Sequence, residues 1–206
     1  MSLIVIGGHS RSVGKTSVVA GLIAALPEFN WTALKITQYG HGICSADGKP
    51  CHCATDDHTK AITEEHDRSG ESDTSRFLVA GAKNSIWVRT RQGMLAGAMP
   101  DIRRKLAVAE NVIMESNSIL EFLTPDLYLT ILDAGTQDFK NSARKFLDRA
   151  DAVILHRNGA EPRWDSISVK PGTGRPCFMI QPPDYVTPEI VSFVRERLTS
   201  KVVSDF

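Results

Sequence analysis

The stretch VIGGHSRSVGKTS, from Val5 to Ser17, decides how the rest of the sequence is interpreted. Its apolar start predicts a buried strand, and its end, Gly14-Lys15-Thr16, opens a segment of helical composition. A loop with this ending between a strand and a helix is typical of a phosphate-binding loop. The first glycine of that motif is replaced by His9, and we expect the preceding pair of glycines to ease the turn in its place.

Each position of this loop has an expected task. Successive main-chain N–H groups curl around phosphates, and the N-terminus of the helix adds partial positive charge. Lys15 is expected to reach the β- and γ-phosphate oxygens, and Thr16 to ligate Mg²⁺ through its hydroxyl. The sequence therefore predicts a site for Mg²⁺ with GTP or ATP. Its predicted binding residues in the loop are Ser10, Arg11, Ser12, Val13, Gly14, Lys15, Thr16 and Ser17.

The composition is that of an ordinary globular domain. The chain has 206 residues, of which 42% are hydrophobic and 23% charged, and its formal net charge is +0. A balanced charge gives no support for binding to nucleic acid or to an anionic membrane. No apolar run approaches the roughly 18 residues that span a bilayer. The N-terminus does not have the pattern of a signal peptide, so we expect a cytoplasmic protein with reduced cysteines.

Short apolar runs alternate with helix-length segments along the chain. Alternating strands and helices favour parallel pairing with right-handed crossovers, and runs that are apolar at consecutive positions indicate strands buried on both faces. We therefore predict one domain over residues 1–206, an α/β fold with a three-layer, doubly wound, mostly parallel sheet of about seven strands. The predicted strands are LIVIG, WTALKI, NSIWVR, NVIME, LYLTILD, AVILH and CFMI. The predicted helices include residues 15–26, 73–82, 142–150 and 188–198, with Asp73 as an N-cap.

A segment rich in cysteine and histidine interrupts this alternation at about residues 41–69. Thiolate and imidazole groups are ligands of Zn²⁺ or, with enough thiolates, of an iron–sulfur cluster. We place Zn²⁺ ahead of a cluster, and a loop with free thiols is the alternative. The predicted ligands are Cys44, Cys51 and Cys53 with His41 or His58. Because the segment follows the second strand, bound nucleotide could order or release it.

Carboxylates that end buried strands are candidates for the magnesium site. Glu115 is the first choice because it ends the run NVIME, and Asp133 at the end of the next strand is the second. Lys35, near the end of the second strand, would offer the phosphates another positive charge, although a solvated lysine explains it equally well.

Signals for the nucleotide base are weaker. Asn158 follows the strand AVILH, where GTP-binding proteins commonly have Asn-Lys-x-Asp, but the aspartate of that pattern is missing. Asn158 can donate to and accept from a base edge, and Trp164 or Tyr185 could stack on a base. An ordinary Asn-Gly turn explains Asn158 as well. The choice between GTP and ATP therefore stays open.

The loop resembles that of the SIMIBI branch of P-loop proteins, in which the first position is often not glycine. The segments ALKITQYGHG (33–42), GESDTSRFLVAGA (70–82) and NVIMES (111–116) are similar, in this order, to segments of the molybdopterin-guanine-dinucleotide biosynthesis adaptor family. The run DLYLTILDAG…RADAVILHRN more distantly resembles dethiobiotin synthetase and cobyrinic-acid synthase. This resemblance covers about residues 1–160 and implies that Asp73 faces the γ-phosphate. The chain departs from the adaptor family at Ser116, where that family has glycine, and in the cysteine-rich insertion.

Three functions follow as expectations. The resemblance implies a slow nucleoside triphosphatase that acts as an adaptor in molybdenum-cofactor biosynthesis or similar cofactor assembly, with a protein partner and, as in related proteins, a homodimer. Its catalytic residues would be Lys15, Glu115 and Asp73. A synthetase or kinase of the dethiobiotin-synthetase type is the first alternative. A metal-binding GTPase of the metallochaperone type is the second.

Overall fold

The computed structural model describes residues 1–39, 60–157, 164 and 174–204. Eight strands in these residues form one sheet with the order β3-β4-β2-β5-β1-β6-β7-β8. Every neighbouring pair is parallel except β3 and β4. The strands are β1 (Leu3–Gly8), β2 (Trp31–Tyr39), β3 (Lys60–Glu64), β4 (Asn84–Arg91), β5 (Asn111–Glu115), β6 (Leu127–Leu132), β7 (Ala152–His156) and β8 (Cys177–Ile180). The predicted α/β class with a mostly parallel sheet is confirmed.

The sheet has one strand more than predicted. β3 lies in the segment predicted as a polar insertion and pairs antiparallel with β4, from Lys60 opposite Thr90 to Glu64 opposite Ile86. Its five residues are exposed or half-buried, as expected for an edge strand. A short strand without a fully buried face has no continuous apolar run, so the sequence pattern did not reveal it.

Helices cover both faces of the sheet. They are α1 (Lys15–Ala25), α2 (Asp73–Val79), α3 (Met99–Leu106), α4 (Asn141–Phe146) and α5 (Pro188–Ser204). In β1, Ile4 and Ile6 pack in the core shared with α1, α2 and α5, whereas Leu3 and Val5 pack in the core shared with α3 and α4. Since consecutive side chains of a strand point to opposite faces, β1 is buried on both sides in a three-layer arrangement.

Several predicted helix ends were wrong. α2 ends at Val79 rather than at residue 82, and its N-cap is Ser72 rather than Asp73. The Ser72 hydroxyl accepts a hydrogen bond of 3.0 Å from the main-chain N–H of Ser75, so Asp73 occupies the first helical position. α4 is one regular helix of six residues followed by a 3₁₀ turn (Leu147–Arg149), and α5 extends to Ser204. No helix in the described part of the chain is both long and apolar enough to cross a membrane.

Candidate phosphate-binding site

The loop between β1 and α1, residues 9–14, has the shape of a tight cradle. Ser12 and Gly14 both have left-handed backbone conformations, with φ of 55° and 87°. A side chain at Gly14 would place its Cβ only 2.2 Å from Cε1 of Tyr185, so this position needs glycine for space as well as for conformation. The loop thus turns at the start of α1, and the first N–H groups of a helix have no partner within the helix and can bind an anion.

Neighbouring strand ends hold the start and the end of this loop. The Asn117 side chain, which follows β5, donates to the carbonyl of Gly8 at 2.8 Å and accepts from its N–H at 2.9 Å. On the far side, Nε2 of His156 at the end of β7 lies 3.0 Å from the carbonyl oxygen of Val13. These contacts attach the loop to strands on both sides of β1 and limit its movement.

His9 stands at the first glycine position of the loop motif, and its side chain packs in the interior of the protein. Its ring is fully buried and lies 5.1 Å, centroid to centroid, from both Phe139 and Trp164. Its Nδ1 and Nε2 are 3.4 and 3.2 Å from the carbonyl oxygens of Ile131 and Thr136. Burial lowers the pKa of His9 below its ordinary value, although both carbonyls act in the opposite direction.

Lys15 carries a cation that lacks a carboxylate partner in the described part of the chain. Its ammonium donates to the carbonyl oxygen of Ser10 at 2.6 Å, across the mouth of the loop. Burial lowers the pKa of Lys15 to about 8, against the attraction of Glu115. A desolvated ammonium in the first turn of a helix is suited to an anion that bears several charges.

Beside Lys15, hydroxyl and carboxylate oxygens converge. Thr16 Oγ1 donates to Glu115 Oε2 at 2.7 Å, and Glu115 is almost fully buried at the end of β5. Hydroxyl and carboxylate oxygens are the ligands that Mg²⁺ prefers, so this pair fits the predicted metal. The sequence placed these two residues together, and the structure brings them into direct contact.

Lys35 joins the two predicted acidic residues. Its ammonium donates to Glu115 Oε1 at 3.0 Å, contacts Asp73 Oδ2 and lies 3.4 Å from Thr16 Oγ1. Burial alone would lower the pKa of Lys35, but the two carboxylates raise it above its usual value. Lys35 therefore forms an ion pair with each of the two carboxylates, a role in addition to the predicted attraction for phosphates.

Other predicted site residues lie elsewhere. Asp133 accepts hydrogen bonds within its own turn, from the N–H of Gly135 and the hydroxyl of Thr136, instead of joining Glu115. Trp164 donates to the carbonyl of Thr136 and packs on His9.

Further predicted residues lie outside the described residues: His41, Cys44, Cys51, Cys53 and His58 of the zinc hypothesis, and Asn158 of the base hypothesis. Across residues 1–39, 60–157, 164 and 174–200, no three His, Cys, Asp or Glu side chains form a group that could hold a metal ion.

Three side chains of the site were missed by the sequence analysis. Asn117 holds Gly8 as described above, and Arg76 of α2 donates to the Ser17 hydroxyl at 3.1 Å. Lys140 lies beside the loop through a main-chain hydrogen bond of 2.8 Å to His9. Arg76 stands in the segment GESDTSRFLVAGA that resembles the adaptor family, but no role was predicted for it, and nothing in the sequence near Lys140 marked that residue.

An open groove of about 790 Å³ extends from the end of the loop. It lies between α1, α2, the segment that connects β8 to α5, and the first half of α5. Ser17 and Arg76 line one end of it, and Tyr185, which packs on Gly14, lines another part. The contact between Tyr185 and Gly14 thus connects the groove to the end of the loop.

Sheet and loop together define the class: an α/β protein with a P-loop at the end of a central parallel strand. Among solved structures, the chain is similar to LpxK from Aquifex aeolicus in complex with ATP, with 21% identity and a TM-score of 0.48 over 87% of this chain and 53% of that one. It thus spans about half of the LpxK chain. It is similar to HypB from Helicobacter pylori in complex with nickel, with 14% identity and a TM-score of 0.46 over 98% and 88% of the two chains.

MobB from Bacillus subtilis is also among the similar structures, with 12% identity and a TM-score of 0.40 over 96% of this chain and 97% of that one. At these identities the likeness concerns the fold alone. No family model matches the sequence, and no curated protein matches it.

Proposed function

We propose that this chain binds the magnesium complex of a nucleoside triphosphate, GTP or ATP, at the loop between β1 and α1. The observation that carries the proposal is the convergence of three groups at the mouth of this loop. Lys15 supplies an ammonium without a carboxylate partner among the described residues, and Thr16 Oγ1 lies 2.7 Å from Glu115 Oε2. Together they present a cation for phosphate and oxygen ligands for a metal.

The chain's own residues would do the binding. Main-chain N–H groups of residues 10–17 would surround the phosphates, and Lys15 would leave the Ser10 carbonyl for a phosphate oxygen. Mg²⁺, held by Thr16 and Glu115, would neutralise part of the phosphate charge. The groove beside Ser17 and Tyr185 would receive the ribose and the base.

Hydrolysis at this site would be slow. Glu115 accepts hydrogen bonds from Thr16 and Lys35, and Asp73 is paired with Lys35. A carboxylate that is already engaged by a cation is a poor base for activating water. Turnover would then depend on positioning and charge neutralisation, which suits a switch or a carrier.

We place this switch in an adaptor of molybdenum-cofactor or similar cofactor assembly, acting with a protein partner, on the sequence resemblance over residues 1–160. One structural observation also favours the metal-binding GTPase as a second candidate. β2 carries Lys35 in the site and ends at Tyr39, directly before the segment with the cysteines and histidines. If bound nucleotide changed the contacts of Lys35, the change would therefore act on the strand that leads into that segment.

A panel of nucleotides measured by thermal unfolding tests the binding proposal. We expect GTP or ATP with Mg²⁺ to raise the unfolding temperature of the wild type, and Lys15→Ala to abolish the rise. Lys83→Ala is the control, because Lys83 is exposed and paired with Glu110 far from the loop. If no nucleotide stabilises the wild type, or if Lys15→Ala keeps the full effect, the proposal is wrong.

Turnover and metal content separate the candidate functions. An adaptor should release phosphate at well below about 1 s⁻¹, a rate typical of slow switches rather than kinases. A synthetase would instead consume ATP faster when one small metabolite is added. A metallochaperone would carry stoichiometric metal as purified, with an affinity for metal that changes with nucleotide.

A further inference from the structure

The segment between β6 and α4, residues 133–140, is attached to the first half of the P-loop. The Ser10 hydroxyl donates to Asp138 Oδ2 at 2.7 Å, and the main-chain N–H of Lys140 donates to the carbonyl of His9 at 2.8 Å. Two residues of the loop are thus bonded to two residues of this segment. The backbone of Lys140 is thereby fixed directly beside the candidate site.

The Lys140 side chain carries a charge without a bonded partner. It is half-buried, and in the described part of the chain its ammonium makes no ion pair or side-chain hydrogen bond. Burial lowers the pKa of Lys140 below its usual value, and the nearby Arg11 guanidinium lowers it further, against Asp138 and Glu115. The nearest acidic group of its own segment, Asp138, already accepts the bond from Ser10.

Lys15 and Lys140 therefore form a pair of cations at the same loop. The charge of Lys140 lowers the pKa of Lys15, and Lys15 is bonded only to a carbonyl oxygen in the described structure. The charges of Asp73 and Glu115 already face two other cations, because Lys35 pairs with both carboxylates and Arg76 lies 4.0 Å from Asp73. Two partly desolvated ammonium groups close together repel each other, and an anion between them would relieve this repulsion.

The position of Lys140 indicates which phosphate it would meet. The main chain of Lys140 is bonded to His9 at the start of the loop, next to Ser10, whose carbonyl accepts from the Lys15 ammonium. The groove proposed for the base begins instead at Ser17 and Tyr185. Lys140 therefore lies at the end of the site away from the groove for the base, where the last phosphate of a triphosphate would lie.

We propose that Lys140 is a second phosphate-binding lysine, which contacts the terminal phosphate and lets the site distinguish a nucleoside triphosphate from the diphosphate. This inference rests on the proposed function, because it assumes that the loop binds nucleotide. It assigns the distinction between the two nucleotide states to a residue outside the P-loop.

Calorimetric titration of Lys140→Met tests the inference. Wild type and variant are titrated with magnesium complexes of non-hydrolysable GTP and ATP analogues, and with GDP and ADP. We expect the variant to bind the triphosphate analogue about tenfold more weakly, the scale of one hydrogen bond to a charged group, and the diphosphate less than about twofold more weakly. Lys145→Met is the matched control on α4, because Lys145 is exposed and paired with Glu121; it should change neither affinity.

The variant Lys140→Arg tests whether an effect of Lys140→Met comes from the lost charge or from a disturbed structure. It keeps the positive charge and should retain most of the preference for triphosphate, while thermal unfolding checks that both variants are folded. If Lys140→Met weakens both nucleotides equally, or neither, Lys140 does not read the terminal phosphate and the inference is wrong while the proposed function stands. If the wild type binds no nucleotide at all, the proposed function fails and this inference fails with it.

Discussion

Single residues of the loop are held in arrangements that cost stability. Ser12 has a left-handed backbone conformation, which is uncommon for a residue with a side chain, and the ammonium of Lys15 is largely removed from water. Strained backbone and desolvated charge are found together where a site is prepared for a ligand. Stability and binding should therefore respond in opposite directions to some substitutions here.

Lys15→Met is the clearest such substitution. Burial lowers the pKa of Lys15 to about 8, so the charged form is disfavoured in the folded chain. Replacing it by an apolar side chain of similar length should raise the free energy of unfolding of the nucleotide-free protein by about 1 kcal/mol, or the unfolding temperature by about 2–4 °C. Urea unfolding measures the change. A Lys15→Met protein that is clearly less stable than the wild type would show that Lys15 has a structural role instead.

His9 gives the protein a dependence on pH with a definite sign. Burial lowers the pKa of His9 in the folded state, although the two carbonyls and Asp133 raise it. Below about pH 6.5, the unfolded chain therefore binds a proton at His9 more readily than the folded chain does. The stability that neutral His9 contributes is fully present above that pH and is lost as the pH falls toward the folded-state pKa. The free energy of unfolding of wild type minus that of His9→Gln should therefore be larger at pH 7.5 than at pH 5.5.

Urea unfolding of both proteins at the two pH values provides this comparison, and the other histidines cancel in the difference. The opposite sign would mean that His9 is protonated in the folded state and donates to both Ile131 and Thr136. The hydrogen bonds to the two carbonyls would then outweigh the cost of burying the charge.

At the scale of elements, α2 is positioned by the residues that follow the edge strand β3. Glu65 Oε2 accepts hydrogen bonds from the hydroxyls of Thr74 at 2.7 Å and Ser72 at 3.1 Å, and the main-chain N–H of Glu65 bonds to Ser85 in β4. These contacts fix the first turn of α2, where Asp73 meets Lys35. The end of the predicted insertion thus helps to build the site.

Glu65→Ala should therefore weaken nucleotide binding from outside the site. Without the carboxylate, the first turn of α2 loses two hydrogen bonds, and Asp73 and Arg76 are held less firmly. We expect the affinity for the magnesium complex of the triphosphate to fall about threefold to tenfold, measured by calorimetry, with a modest loss of stability. Glu121→Ala removes an exposed ion pair with Lys145 and serves as the control. Equal affinities of wild type and Glu65→Ala would show that α2 does not depend on this contact.

At the scale of the whole molecule, the burial of a strand on both of its faces explains which strands could be predicted from the sequence. The bounds of β5 and β7 were predicted correctly, because a strand covered on both faces leaves a continuous apolar run. The edge strand β3 was missed because its residues stay partly in water. The N-cap of α2 was misplaced by one residue, since Ser72 and Asp73 are both good caps by composition.

The residues of the candidate site also divide into those that could be predicted from the sequence and those that could not. Lys15, Thr16 and Glu115 could be proposed from the sequence because a loop motif and a strand end mark them locally. Asn117 and Lys140 could not, because their roles depend on contacts with residues more than a hundred positions away along the chain. Sheet order alone brings such residues to the same loop, and local sequence patterns do not contain that information.

A crystal structure of the chain with Mg²⁺ and a non-hydrolysable triphosphate analogue tests the central claim most directly. We predict that the phosphates lie within the main-chain N–H groups of residues 10–17. Lys15 should have moved from the Ser10 carbonyl to a phosphate oxygen, and Thr16 and Glu115 should lie at the metal. Phosphates bound at another place, or a Lys15 that still donates to Ser10 beside bound nucleotide, would contradict the account.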